Sequence, residues 1–334
     1  MRIAVIGAGN WGTGLAIMAA RAGHDVSVWS RNSAVVASIN DTHKNSAYLN
    51  GASIPEAVRA TGDIGEVLTG AELVILAAPS HATRELLQSM RKLVPPDSII
   101  VSATKGIEIE SGKRISQVVA DVMGENAAPR FVCLSGPSFA TEVVQNHPTA
   151  IVAASDDSAA ARVVQSELSF ENLRIYTNDD LVGTELGGSL KNVMAIAAGM
   201  VAGLSFGANS VAALITRGLA EMTRLALHEG AKLETMMGLA GLGDLVLTCT
   251  GNLSRNRFVG EELGNGRSLQ VITAGMHEVA EGINTTRAVK KLADRLGVEL
   301  PITYEVHAVL YEGKPARDAA AELMRRPLRV EANW

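Results

Sequence analysis

Gly7-Ala8-Gly9-Asn10-Trp11-Gly12 sets three glycines at the spacing of a dinucleotide-binding loop. The apolar run Arg2-Ile3-Ala4-Val5-Ile6 leads into it, and a helical pattern follows. In that order each glycine has a physical reason. Gly7 makes the tight turn, Gly9 lets the backbone approach a pyrophosphate, and Gly12 lets helix and strand pack closely. The helix N-terminus then offers N–H groups to the phosphates. Without the flanking elements the same glycines would read as a bare turn. The second apolar run ends in Val26-Ser27-Val28-Trp29-Ser30-Arg31-Asn32, with no acid where an NAD-specific site holds the ribose 2′-hydroxyl. Arg31, with Asn32 beside it, suits a 2′-phosphate, so NADP is favoured over NAD. An Arg31 that is solvated, or stacked on adenine, would serve either cofactor.

A second chemistry is suggested by isolated cations. Lys191 lies in Leu186-Gly187-Gly188-Ser189-Leu190-Lys191-Asn192-Val193, and residues 186–204 carry no other charge. At helical spacing Gly187, Lys191, Ala195, Ala198 and Ala202 share one face. Small side chains around one lysine admit a ligand or another backbone. A buried ammonium needs an anionic partner or a lowered pKa. Reduction of a ketone needs such a group at the carbonyl oxygen, where negative charge develops. The plainer reading is a lysine whose head snorkels to water. Lys105 follows an apolar run in Thr104-Lys105-Gly106, and Gly136 and Ser138 follow another in Ser135-Gly136-Pro137-Ser138. The carboxyl ends of strands are where open parallel sheets bind ligands; otherwise Lys105 is a solvated loop residue. Asp244, after Gly241-Leu242-Gly243, suits either a lysine partner or a helix N-cap. Arg255, in Ser254-Arg255-Asn256-Arg257, suits a phosphate or a plain helix surface.

The elements that must position these groups change character along the chain. Apolar runs at 2–6, 25–29, 73–77, 98–102, 131–135 and 149–154 read as buried strands. Helical segments at 12–22, 32–40, 81–92, 111–123 and 157–168 alternate with them. This predicts an α/β fold with a Rossmann-like, largely parallel sheet over residues 1–182. Residues 183–334 read as an all-helical domain, with helices at 185–204, 209–229, 255–264, 268–275, 284–296, 301–311 and 315–325. With no long linker, the halves are expected to pack together with a cleft.

Composition removes several classes. A net charge of −5 argues against a nucleic-acid partner. No His/Cys cluster has metal-ligand spacing, so no metal is expected. Cys133 and Cys249 are too few for a disulfide framework, which points to the cytoplasm. Neither a signal peptide nor a membrane span is expected.

Taken together the motifs resemble bacterial-type NAD(P)-dependent glycerol-3-phosphate dehydrogenase. The markers are Gly7–Thr13, Ala103–Glu108, Leu134–Ser138, Leu190-Lys191-Asn192, Ala213–Gly218, Gly243-Asp244-Leu245 and Cys249-Thr250…Ser254-Arg255-Asn256. The resemblance implies reversible reduction of dihydroxyacetone phosphate to sn-glycerol 3-phosphate for phospholipid synthesis, and the apolar helical half suits a homodimer. It makes Lys191 the proton donor and acceptor. It lines the substrate with Lys105, Gly136, Ser138, Lys191, Asp244, Ser254, Arg255 and Asn256. It lines the cofactor with Asn10, Trp11, Arg31, Asn32, Lys105, Ala140, Arg255, Val279 and Glu281. Two departures, Asn50 after Tyr48-Leu49 and Asn10 where relatives often carry Ser, leave the chemistry intact. The competing readings are another two-domain dehydrogenase of the 6-phosphogluconate or β-hydroxyacid type, and a non-catalytic NADP sensor.

Overall fold

The computed structural model describes residues 1–124, 130–276, 280–328, 330 and 331. The chain divides into two units, Met1–Thr104 with Ile115–Leu181, and Lys105–Arg114 with Val182–Trp334. Residues 105–114 thus group with the helical unit, although they interrupt the first unit in sequence.

The first unit is built on eight strands: β1 Arg2–Ile6, β2 Asp25–Trp29, β3 Arg59–Thr61, β4 Leu73–Leu76, β5 Ile99–Ser102, β6 Phe131–Ser135, β7 Thr149–Ala154 and β8 Leu173–Asn178. Their order is β3-β2-β1-β4-β5-β6-β7-β8. All pairs are parallel except β6 with β7. The first six strands follow the doubly wound order, whose switch point lies between β1 and β4. Successive β1 side chains enter opposite cores: Ile3 and Val5 one, Ala4 and Ile6 the other. That is why these strands read as unbroken apolar runs. The helices are α1 Asn10–Arg21, α2 Ser33–Thr42, α3 Ile64–Leu68, α4 Thr83–Met90, α5 Ile115–Met123, α6 Ala140–Val144 and α7 Ser158–Leu168.

Two strands escaped the sequence reading. β3 is only three residues long. β8 alternates buried and exposed residues as an edge strand does, so a search for continuous apolar runs passes over it. α1 also begins at Asn10, which places Gly12 inside the helix.

The second unit is helical: α8 Leu181–Gly203, α9 Ala208–His228, α10 Leu233–Met236, α11 Asp244–Thr250, α12 Arg255–Gly264, α13 Leu269–Ala274, α14 Glu281–Leu296, α15 Pro301–Tyr311 and α16 Ala316–Arg325. A π turn, Leu239–Gly243, precedes α11. Among the described residues no strand follows β8. α8 is long and apolar enough to cross a membrane, but it is buried along most of its length as the core helix of a folded unit.

Glycines let other backbones reach α8. A methyl group at Gly199 would lie 2.0 Å from the Arg257 carbonyl oxygen, and one at Gly260 would lie 1.9 Å from that of Ile196. At Gly187 it would meet the Ala240 oxygen at 2.6 Å. Of the two readings of the small-residue face, a close backbone is the one seen at Gly187. Elsewhere the unit uses a buried acid as a tertiary cap. Glu221 on α9 accepts the Ile302 and Thr303 N–H groups at 2.9 Å each, at the start of α15. Burial raises the Glu221 carboxyl to about 7.

Gly260→Ala tests the α8–α12 contact. Overpacking of this kind costs about 2–3 kcal/mol, a fall of roughly 5–10 °C in Tm. An unchanged Tm by calorimetry would contradict the packing described.

Candidate active site

The glycine loop adopts the geometry its sequence implies. Gly7 has φ +116°, a region open to glycine. Its N–H donates to the Trp29 carbonyl at 3.1 Å, fixing the turn against β2. A methyl group at Gly12 would lie 2.0 Å from the Gly7 oxygen, so only glycine allows α1 to start this close to the turn. At Gly9 nothing lies within 4 Å of a built methyl group, and no side chain caps α1 there. These residues fit a pyrophosphate: an approachable backbone and a helix N-terminus without a side-chain acceptor.

Around the loop, Trp11 packs half-buried on the core, and Ala140, at the start of α6, faces Gly14. Asn10 is half-buried in the first turn of α1. Arg31 is exposed just past β2. Asn32 plays a structural part, since its side chain caps α2 by accepting the Ala34 N–H at 3.0 Å. In the same unit Gly136 has φ +129°, and the Ser138 hydroxyl donates to its carbonyl at 3.0 Å.

The second unit brings Lys105, Lys191 and Asp244 together. Asp244 is fully buried as the first residue of α11. It is not an N-cap. Lys105 Nζ donates to its Oδ2 at 2.7 Å, and Lys191 Nζ donates to its Oδ1. Gly241, three residues earlier, is tightly packed, since a methyl group there would lie 2.1 Å from the Met236 oxygen. It permits the π turn that aims Asp244 inward. Lys191 is only 7% exposed, so it does not snorkel.

The electrostatics follow from burial. Burial lowers Lys191 to about 7; Asp244 opposes the shift and Lys105 adds to it. Burial alone would raise the Asp244 carboxyl, but the two ammonium groups outweigh it and hold Asp244 below its ordinary value. Cys249 is pushed up to about 12 by burial and stays a thiol.

One participant was missed in the sequence. The Thr248 hydroxyl accepts from Lys191 Nζ at 2.9 Å and donates to the Asp244 carbonyl at 2.6 Å. The signal was present: Asp244 and Thr248 stand at i, i+4, on one face of a helix.

The phosphate candidates divide. Ser254 caps α12, accepting the Arg257 N–H at 3.2 Å. Asn256 is buried; its Nδ2 donates to Asn192 Oδ1 at 3.0 Å, and its Oδ1 accepts the Gly282 N–H at 2.9 Å. Arg255, between them, is exposed. Glu281 begins α14 and is half-buried. Val279 lies outside the described residues. Among the described residues, no group of three or more His, Cys, Asp and Glu side chains could hold a metal ion.

The sequence models of the NAD-dependent glycerol-3-phosphate dehydrogenase N-terminus and C-terminus match residues 2–161 and 180–321. The chain belongs to the NAD-dependent glycerol-3-phosphate dehydrogenase family. Within it, the chain is 54% identical over 332 residues to a glycerol-3-phosphate dehydrogenase [NAD(P)+] of Koribacter versatilis, covering 99% of this chain and 98% of that one. A Nitratidesulfovibrio vulgaris protein of the same name is 50% identical, covering 99% of this chain and all of that one. The crystal structure of glycerol-3-phosphate dehydrogenase from Coxiella burnetii superposes with a TM-score of 0.93 at 40% identity, covering 97% of this chain and 98% of that one. The two family matches span the glycine loop and Lys105 in the first range and Lys191 and Asp244 in the second.

Proposed function

We propose that this chain catalyses the reversible NAD(P)H-dependent reduction of dihydroxyacetone phosphate to sn-glycerol 3-phosphate and so supplies glycerophospholipid synthesis. Family membership supports the reaction. The observation that carries the chemical reading is the pair of amines on the buried Asp244 carboxylate.

A bound dihydronicotinamide supplies the hydride. Gly7, Gly9 and Gly12 hold its pyrophosphate, and Arg31 meets a 2′-phosphate, favouring NADP. Asn10, Trp11, Asn32, Ala140, Val279 and Glu281 are assigned to the same cofactor on the family resemblance, as Gly136 and Ser138 are to the substrate. Lys105 and Arg255 serve both molecules. Negative charge grows on the substrate C2 oxygen, and Lys191 protonates it. With its pKa at about 7, Lys191 holds the proton or releases it near neutral pH, as both directions of the reaction require. Of the three N–H donors, one goes to Asp244 and one to Thr248, and the third is assigned to the substrate oxygen. Lys105 adds a fixed positive charge for the developing alkoxide. Arg255 takes the phosphate, aided by the Ser254 hydroxyl proton, while the Asn256 network holds the first turn of α12 in place. In the same reading the enzyme is a cytoplasmic homodimer. The buried Cys133 and Cys249, which are not joined in a disulfide, and the exposed apolar Phe206, Leu253 and Phe258 support those two points.

Two variants test this reading. Lys191→Ala should lower kcat by about 10²–10⁴ with Tm retained. In the unmodified enzyme kcat for reduction should fall as pH rises through about 7, where Lys191 loses its proton, and kcat for oxidation should rise over the same range. A near-normal kcat for Lys191→Ala would refute the role. Arg31→Ala should lower kcat/KM for NADPH about tenfold or more, with little change for NADH. An unmodified enzyme that prefers NADH would refute the assignment of Arg31.

A further inference from the structure

Lys105 lies on a hairpin loop, so something must fix its ammonium on Asp244. Lys105–Arg114 closes on itself through an antiparallel bridge between Ile107 and Arg114. Within it the Glu108 N–H donates to the Lys113 carbonyl at 3.0 Å, and the Gly112 N–H to the Glu108 carbonyl at 2.8 Å. Ile107 is buried in the helical core. Arg114, where the hairpin closes, reaches α8: its Nη1 donates to Glu185 Oε2 at 2.6 Å, with the side chains only 14% and 5% exposed. Glu185 lies on α8 less than two turns before Lys191. At the hairpin tip, Lys291 Nζ donates to the Glu110 carbonyl at 3.1 Å, but that contact is exposed to water and adds little.

A buried Arg–Glu pair is poor evidence of stability, because desolvation offsets its attraction. Its geometry is what it contributes. One arm of the hairpin carries Lys105, the paired arm carries Arg114, and Arg114 is pinned to the helix that carries Lys191. We propose that the Arg114–Glu185 ion pair is a positioning pair that holds Lys105 on Asp244. This rests on the catalytic reading of the lysine cluster and adds to it two residues that act through Lys105. Among the described residues, the charged groups facing Lys191 are Asp244 and Lys105; Cys249 on α11 stays neutral. When the pair is broken Lys105 drifts, and Lys191 keeps its proton to higher pH.

The experiment uses Glu185→Gln and the double variant Arg114→Met/Glu185→Leu, which removes both charges of the pair together and keeps the test open if the single variant misfolds. Lysines of the intact folded proteins are reductively methylated and the peptides read by mass spectrometry. Lys105 should react faster in both variants, with the surface lysines unchanged. Also, kcat should fall toward the hundredfold that a displacement of about 1 Å costs. Its alkaline limb should move to higher pH, and neither change should add to that of Lys105→Met. Unchanged methylation of Lys105 in folded variants overturns the positioning role whatever the kinetics. Full kcat in Lys105→Met overturns the catalytic reading instead, and the methylation result still decides what Arg114–Glu185 does.

Discussion

A carboxylate with no access to water holds two ammonium groups, and most of the helical unit follows from making that arrangement tolerable. An isolated buried charge is prohibitively costly, so Asp244 requires cations. Lys105 and Lys191 meet that need and exceed it, since two positive charges face one negative. The excess is relieved in one of two ways. Lys191 gives up its proton near neutrality, or a new anion arrives. An alkoxide growing on a substrate oxygen is such an anion, and it would bring the cluster to balance without moving a side chain. Fixed charge aimed at a developing oxyanion is the arrangement that lowers barriers most.

Such a cluster requires a rigid frame. α8 supplies it by admitting other backbones to within van der Waals contact at Gly187, Gly199 and Gly203. The π turn before α11 aims Asp244, and the Asn192–Asn256–Gly282 hydrogen bonds fix the start of α12 beside the same helix. Close packing of backbone on backbone leaves few alternative arrangements, so the amines and the carboxylate keep their mutual geometry.

The parts legible in the sequence were those with a local signature. The glycine loop could be read because Gly7 and Gly12 answer steric demands set by the turn, while Gly9 leaves the space beside the helix N-terminus open. Lys191 stood out because residues 186–204 around it carry no other charge. The parts that were not legible depend on tertiary partners. Asp244 admitted a capping role until its lysines were seen around it. Ser254 and Asn256 were assigned to the substrate on the family resemblance; spacing did not show that Ser254 also caps α12 or that Asn256 joins Asn192 and Gly282. The run Gly241-Leu242-Gly243 gave no sign of the π turn it forms, in which a side chain at Gly241 would strike the Met236 oxygen. β8 was overlooked because an edge strand, wet on one face, lacks the continuous apolar run of its buried neighbours. Nor did spacing foretell that residues 105–114 group with the helices, a result of Ile107 entering their core.

The cluster's electrostatics can be measured without turnover. Titration of the Lys191 side-chain nitrogen by NMR, its signal assigned by its loss in Lys191→Met, reports the proton affinity of that amine in the folded protein. A midpoint at about 7 is the result expected of a buried amine that Lys105 crowds and Asp244 only partly compensates. A midpoint at the ordinary 10.5 would mean that Asp244 fully offsets burial and the crowding by Lys105, and the account of the site would fail.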